Sequence, residues 1–288
     1  MEVVQPASSS RARRRRLLRH NRLATLGAII VCVVVLIGVF APLVAPYDPI
    51  LQDTPHRLEP PSAAHLLGSD QFGRDILSRL AFGSRTTLLV AVSAVAVGLL
   101  VGGGLGLVSG FVGGQVERVI VMLIDVLLSF PLLLLAILVA FILGPGVVNV
   151  AIAVGISQVP TFARLARALT LSVRERDYVA AASAVGARPD RVMLRHVLPN
   201  IAGPLGAQAT STVALAILSA TSLNFLGIGV QPPTPDWGAM VADAKRYIFD
   251  RPELALYPGV AILVTVLGLN LAGDGLLDVL GQRDRRAA

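Results

Sequence analysis

The chain has 288 residues, of which 54% are hydrophobic and 15% are charged. A soluble domain of this length needs more charge to cover its surface, so the composition indicates a polytopic membrane protein. The net charge of +7 does not favour a nucleic-acid partner, because aromatic residues make up only 5% and the basic residues flank apolar runs, where they set membrane topology. Cys32 is the single cysteine, which excludes a disulfide framework.

Long runs with few charges predict an all-α fold with six transmembrane helices. A helix needs about 20 apolar residues to cross the hydrocarbon core. The run after Val119 carries one charge, Asp125, and is long enough for two crossings. We divide it at Gly144-Pro145-Gly146, because Gly and Pro together favour a turn. The predicted helices, in chain order, cover residues 24–45, 87–110, 119–142, 147–165, 203–227 and 255–275.

The Lys and Arg residues concentrate in alternate connecting segments, which predicts that both termini are cytoplasmic. The first apolar run is too long for the core of a signal peptide, so we expect a retained transmembrane helix. The predicted organisation is a basic cytoplasmic N-terminus (1–22), a first transmembrane helix (23–47), an extracytoplasmic segment (48–85), a core of five transmembrane helices (86–275) with a cytoplasmic loop (166–200), and a cytoplasmic tail (276–288).

The most informative stretch is an arginine-rich island, Arg164 to Asn200, between two apolar runs. Val173–Val185 is rich in alanine and has no Gly or Pro, which predicts a helix. Gly186 fits the left-handed position that ends such a helix. Pro189 suits the first turn of a second short helix, and we expect Pro199 to stop it. The island is therefore predicted to be a helix–turn–helix beneath the membrane.

The second short helix has two distinct faces in this prediction. Met193 and Val197 share one face, whereas Arg191 and Arg195 share another. Each arginine alone is explained by topology and by contact with anionic lipid headgroups. The whole arrangement of helix, glycine, helix and proline favours a docking site for a partner protein.

The segment Tyr178–Gly186, followed by His196–Asn200, resembles the EAA loop of ABC importer permeases. The resemblance implies the type I ABC importer permease fold, in which this loop forms a coupling helix seated in a cleft of the ATPase subunit. Ala180 stands where the family usually has glutamate, so a salt bridge from that position is missing here. The ATPase-coupling residues implied are Tyr178, Ala180, Ala181, Ala182, Gly186, Arg191, Arg195, His196, Leu198 and Pro199.

Three further segments, His65–Arg79, Asn224–Pro233 and Asn270–Asp278, resemble the C-type subunit of the dipeptide/oligopeptide branch. This resemblance implies a bacterial inner-membrane permease that pairs with a homologous permease, two ATPase subunits and an extracytoplasmic substrate-binding protein. It implies no cofactor on this chain, with ATP and Mg on the ATPases. The branch also includes nickel and glutathione importers, which stay open as alternatives to peptides.

The residues themselves argue against an enzyme. A P-loop needs a Gly-Lys pair, but the only lysine is Lys245, which follows Ala244. ATP hydrolysis is therefore expected in partner chains. No His-Glu-x-x-His motif occurs, so we expect neither a zinc site nor catalytic residues in this chain. A self-contained secondary transporter remains the runner-up. Such proteins usually show internal repeats and ionisable residues near the bilayer midplane, whereas this sequence shows no clear repeat and almost no charge there.

Several other features lie within or between the predicted helices. Asp125 is the one charge well inside a predicted span, for which we expect a gating or structural role. Pro131 is expected to kink the same span. Glycines from Gly98 to Gly110 recur at four-residue spacing and predict close helix packing, within this subunit or against the partner permease. The segment 48–85 either faces the binding protein or forms a simple cap.

Overall fold

The computed structural model describes residues 22–284, and side chains from 22 to 276. The predicted basic N-terminus therefore lies almost wholly outside the described residues. Regular structure in the described part is helical. We name the α-helices α1 (Arg22–Val39), α2 (Ala41–Val44), α3 (Ile76–Val97), α4 (Gly103–Val112), α5 (Gly114–Leu128), α6 (Leu132–Leu143), α7 (Val147–Arg174), α8 (Asp177–Ala184), α9 (Pro189–Val192), α10 (Leu198–Phe225), α11 (Trp237–Ala244) and α12 (Glu253–Asp284).

Two wide π-helical turns join α-helices into longer rods. Gly98–Gly102 connects α3 to α4, and Met193–Val197 connects α9 to α10. Short 3₁₀ turns lie at Thr54–His56 and Lys245–Tyr247. Among the described residues, five helical stretches are long and apolar enough to cross a membrane, and the bent pair α5–α6 gives a sixth span if it is counted as one. The predicted all-α fold with six transmembrane helices is confirmed on this count.

The second span begins much earlier than the predicted residue 87. The Asp75 side chain caps α3 by accepting a hydrogen bond from the Ser78 backbone N–H at 2.7 Å. The polar residues that follow are satisfied inside the protein, since Arg79 Nη1 donates to the Pro49 carbonyl at 3.1 Å. The segment predicted for 48–85 is therefore helical from Ile76 onward.

The third predicted span, 119–142, is broken rather than straight. Helices α5 and α6 are bent by 92° relative to each other. The break falls at Pro131, whose ψ of 134° is extended. Proline has no N–H to donate, and it disfavours helical backbone in the residue before it. The kink predicted at Pro131 is confirmed, and it is sharp enough to divide the span into two helices.

Helix α7 continues to Arg174, beyond the predicted end at 165. The charges in the extension are tied to neighbouring helices, because Arg167 Nε donates to Glu117 Oε1 at 2.8 Å and Arg174 Nη1 donates to the Gly110 carbonyl at 3.5 Å. The helix was predicted to end at 165 because charged residues follow, and these contacts pair those charges so that the helix continues. Helix α12 likewise spans Glu253–Asp284 rather than 255–275.

The arginine-rich island differs from the prediction at two points. The helix predicted for 173–185 is interrupted, because α7 ends at Arg174 and α8 begins at Asp177. Pro199 does not stop the second short helix, which runs on into α10. A proline inside an α-helix clashes with the carbonyl four residues earlier. The wider π turn directly before α10 gives the chain the room to pass this point.

Helix α7 is the most buried of the candidate spans. Its face toward α4 contacts the glycine stripe Gly98, Gly102, Gly106 and Gly110. A Cβ added to Gly102 would lie 2.3 Å from the Val159 carbonyl oxygen, and one on Gly106 would lie 2.3 Å from that of Ala163. The glycine stripe therefore packs against α7 within this subunit. Of the two predicted alternatives, packing within the subunit or against the partner permease, the structure shows the first.

We call the end of the bundle that carries α8 and α9 the coupling end. At the opposite end, the buried Asp236 side chain joins three elements. It accepts hydrogen bonds from Thr87 Oγ1 of α3 at 2.8 Å, from Asn224 Nδ2 of α10, and from the Ala239 backbone N–H of α11 at 3.1 Å. Trp237 Nε1 adds a bond to the Leu80 carbonyl at 2.9 Å. The chain after α10 is thereby fixed onto α3.

The segment before α3 is fixed at this same end by buried charges. Arg74 Nε lies 2.7 Å from Asp70 Oδ2, and Arg79 Nε lies 3.4 Å from the same oxygen. Arg251 Nη2 donates to the Glu59 carbonyl at 2.9 Å. The segment therefore forms an ordered cap over the bundle.

The glycine stripe gives the first prediction. Gly106→Ala forces a methyl group against the α7 backbone and should lower the free energy of unfolding by about 1–3 kcal/mol. Gly104→Ala is the control, because nothing lies within 4 Å of a Cβ at that position. Thermal unfolding of the purified protein in detergent measures both. Equal melting temperatures for the two variants would contradict the packing described.

Asp236 gives a second prediction. Burial raises the pKa of the Asp236 carboxyl group above its usual value, and its hydrogen bonds only partly oppose this. The pKa of this carboxyl group is therefore higher in the folded chain than in the unfolded chain. As the pH rises from the unfolded-state pKa to the folded-state pKa, the unfolded chain loses the proton first, so the stability of the folded state falls. Asp236→Asn should remove this pH-dependent loss of stability. Unfolding curves at pH 4 to 7 compare the variants, and identical pH slopes would argue against it.

Candidate coupling surface

The end of α8 has the geometry that the sequence predicted. Gly186 has a φ of +81°, in the left-handed region. Its N–H donates to the Ser183 carbonyl at 3.0 Å, and the Ala187 N–H donates to the Ala182 carbonyl at 3.2 Å. These two bonds form a Schellman motif, which ends a helix sharply and redirects the chain. The predicted role of Gly186 as a C-terminal cap is confirmed.

Valine side chains anchor the short helices to the bundle. Val179 of α8, Val192 of α9 and Val197 of the π turn are buried in the hydrophobic core. Met193 packs against the same core, so the predicted inward face of Met193 and Val197 is confirmed. Arg195 lies exposed on the other side. The helix–turn–helix is therefore packed against the bundle through these side chains.

The opposite face of α8 is apolar and open. Tyr178, Ala181 and Val185 recur at the i, i+3, i+7 spacing of one helix face. Tyr178 is 42% exposed and Val185 is 85% exposed. Leu194, in the π turn, is also exposed. We call the exposed residues Tyr178, Ala181, Val185, Gly186 and Leu194 the coupling surface.

The remaining predicted coupling residues lie around this surface or away from it. Ala180 is exposed, and Ala182 is half-buried against the core. His196 is half-buried, and its carbonyl accepts a bond from Asn200 Nδ2 at 2.6 Å. Leu198 and Pro199 are exposed but belong to the first turn of α10. The predicted residues thus fall on α8, the turn after it, α9, the π turn and α10, with only part of them on the apolar face.

Val185 and Leu194 were absent from the predicted coupling residues. The sequence did contain a signal for Val185, because it continues the face of Tyr178 and Ala181 opposite the buried Val179. Leu194 could not be found in this way, since its exposure depends on the π turn. That turn changes the angular spacing of successive side chains.

The arginines of the island divide into two groups. Arg164, Arg167 and Arg174 belong to α7, where they contact neighbouring helices. The others are exposed at the coupling end, near the apolar surface; they are Arg176, Arg188, Arg191 and Arg195. Arg188 approaches Asp190 at 3.3 Å, but both side chains are largely exposed. Such a pair contributes little stability, so this group stays available to a partner.

Asp125, the predicted gating or structural residue, has a partner in the island. Its Oδ1 accepts a hydrogen bond from Arg164 Nη2 at 2.8 Å. Neighbouring Glu117 pairs with Arg167 in the same way. These ion pairs join α5 to α7. Pro131 lies beyond them, at the break before α6.

The structure is an all-helical membrane bundle with an exposed apolar surface at one end, as expected for a membrane permease. The family model described as "Binding-protein-dependent transport system inner membrane component" matches residues 102–286. The model "N-terminal TM domain of oligopeptide transport permease C" matches residues 10–61. The chain belongs to the ABC importer permeases and is a C-type, multi-pass inner membrane protein with the type I fold.

Curated relatives cover nearly the whole chain. The dipeptide transport system permease protein DppC of Alkalihalophilus pseudofirmus is 42% identical over 263 residues, which is 91% of this chain and 86% of the relative. The di/tripeptide permease DppC of Pseudomonas aeruginosa is 45% identical, covering 93% and 91%. The glutathione transport system permease protein GsiD of Pectobacterium atrosepticum is 40% identical, covering 92% and 88%.

Gly186 gives a third prediction, with Gly144 as its control. Gly186→Asp should leave membrane insertion intact, cost about 1–3 kcal/mol of backbone strain locally, and weaken binding of the ATPase. Gly144 has a φ of +80°, and like Gly186 it has nothing within 4 Å of an added Cβ. It lies at the opposite end of the bundle. Gly144→Asp should therefore retain ATPase binding in co-purification, and equal loss in both variants would contradict the account.

Proposed function

We propose that this chain is the permease subunit of an ATP-driven importer of small peptides. The observation that carries the proposal is the exposed apolar coupling surface, held rigidly at one end of a transmembrane bundle. Family membership and the peptide-transporting names of the relatives support it. Relatives named as glutathione permeases support a closely related substrate, because glutathione is itself a small peptide.

The proposed complex contains a homologous permease, which forms the translocation pathway together with this chain. Two ATPase subunits bind at the coupling ends, and an extracytoplasmic binding protein delivers the peptide at the opposite end. Both termini and the coupling end then face the cytoplasm, in agreement with the exposed arginines at that end. The ordered cap formed before α3 lies on the side of the binding protein.

ATP and Mg are assigned to the ATPase subunits in this proposal, and this chain binds no cofactor. The only lysine, Lys245, lies with its Nζ 5.3 Å from the centre of the Phe225 ring. That position is at the opposite end of the bundle from the coupling surface. This placement favours an ATPase on separate chains.

The path from the coupling surface into the bundle is short. Val192 and Val197 fix α9 and the π turn to the core, and the same helical rod continues through α10 to Phe225. Val179 ties α8 to that core as well. Movement of the ATPases would therefore be passed directly to the long helices. The bundle would then rock as a rigid body between inward-open and outward-open states.

Val185 gives the fourth prediction. Val185→Asp places a charge in the centre of the coupling surface, and should lower ATPase affinity by about tenfold to a hundredfold, as expected for a buried interface anchor. The control is Phe249→Asp, which alters a side chain that is 98% exposed at the opposite end. Co-purification of the ATPase with each variant measures the effect. Normal association of Val185→Asp would contradict the docking role.

Transport itself tests the whole proposal. The chain is reconstituted in proteoliposomes with its homologous permease, the ATPases and the binding protein, and uptake of a radiolabelled dipeptide is measured. We expect uptake that needs every component and ATP. Peptide uptake by this chain alone, driven by an ion gradient, would instead establish the secondary transporter.

A further inference from the structure

The ion pair between Asp125 and Arg164 is unusual in its exposure. The two side chains are 53% and 64% exposed, respectively, although they lie in helices of the transmembrane bundle. The neighbouring pair of Glu117 and Arg167 is more buried, at 25% and 37%. Charged side chains in transmembrane segments face a bundle interior or a water-filled cavity rather than lipid. Something other than hydrocarbon must therefore cover the first pair.

The position of the pair along both helices places it deep in the bundle. At 1.5 Å per residue, Asp125 lies about 16 Å along α5 from Gly114, which is the end of α5 nearest the coupling end. Arg164 lies about 15 Å from Arg174 along α7 by the same measure. The pair therefore lies about three helical turns into the bundle from the coupling end, on both helices.

The surface around Arg164 is also unlike a lipid-facing surface. Going toward the coupling end, the exposed positions of α7 at four-residue spacing are Arg164, Ala168 and Ser172. By contrast, the exposed positions of α12 are large and apolar, and they include Leu256, Val260, Leu263 and Leu267. Small and polar side chains on this face of α7 suit an aqueous surface, whereas α5 beside it also exposes Met122 and Val126.

We propose that Asp125 and Arg164 face the aqueous translocation pathway and bind the charged ends of the peptide in transit. This inference rests on the proposed function. A peptide carries a carboxylate, which a guanidinium binds through paired hydrogen bonds, and an ammonium group, which an aspartate binds. Both side chains are already half exposed, so they can exchange partners with a peptide without the desolvation that opening a buried pair would need.

Accessibility tests the first half of the proposal. In a Cys32→Ser background within the assembled complex, Ala168→Cys is treated with a charged, membrane-impermeant thiol reagent, and labelling of this chain is read by mass spectrometry. Leu263→Cys, on the apolar face of α12, is the control. We expect labelling of Ala168→Cys alone, slowed by transported peptide. Labelling no faster than the control would overturn the proposal and assign this face to the partner permease or lipid.

Charge substitution tests the second half. Uptake of a dipeptide with a free carboxylate is compared with uptake of its C-terminal amide, each at saturating binding protein. Arg164→Gln, alone and with Asp125→Asn, should reduce the preference for the free carboxylate by about tenfold, and Arg164→Lys should restore most of it. The double variant Glu117→Gln/Arg167→Gln, which removes the more buried pair, should keep the wild-type preference.

Peptide uptake by the wild-type complex separates failure of the proposed function from failure of the proposed role of the ion pair. A wild-type complex that takes up no peptide counts against the proposed function. If the wild-type complex takes up peptide and Arg164→Gln keeps the preference for the free carboxylate, the proposed function stands and the proposed role of the ion pair fails. A changed preference in the control double variant also overturns the inference, because it would show an indirect structural effect.

Discussion

The close approach of α4 to α7 is the constraint on which the rest of the bundle depends. Carbonyl oxygens of α7 occupy the space where side chains of Gly102 and Gly106 would otherwise lie. In a membrane, two helices gain little from the hydrophobic effect, so association relies on close packing of small residues and on polar contacts. The glycine stripe supplies the close packing. The arginines of α7 supply the polar contacts, which they make with Glu117 and with the Gly110 carbonyl.

This arrangement explains why α7 extends beyond the predicted end at residue 165 as an ordered helix. Its last turns are held by α4 and α5, so α8 starts from a fixed position rather than from a flexible linker. The buried side chains of Val179 and Val192 hold the short helices against the hydrophobic core. The apolar face of Tyr178 and Val185 is therefore presented in one orientation, and binding a partner costs little ordering entropy.

The sequence predicted the elements that depend on local chemistry. The run lengths defined the membrane spans, Pro131 marked the break, and Gly186 marked the end of α8, because each of these follows from backbone properties of a few residues. The unpredicted features depend on tertiary partners. Arg167 and Arg174 stay within α7 because Glu117 of α5 and the Gly110 carbonyl of α4 lie against them.

The same distinction applies to the candidate coupling residues. The resemblance to the EAA loop located a segment that folds as a helix–turn–helix, and the residues it implied include Leu198 and Pro199, which belong to α10. It also omitted Leu194, whose exposure depends on a π turn that accommodates Pro199. Because Ala180 stands where the family usually has glutamate, the proposed docking relies on apolar contact and on the surrounding arginines.

Site-specific photocrosslinking tests the central claim most directly. A photoreactive amino acid at position 185 in the assembled complex should form a crosslink to an ATPase subunit in high yield, since Val185 is 85% exposed in this chain alone. The same amino acid at position 267, on the apolar face of α12, should give no ATPase crosslink. If position 185 yields only lipid adducts or none, while the complex still hydrolyses ATP and transports peptide, the coupling surface lies elsewhere.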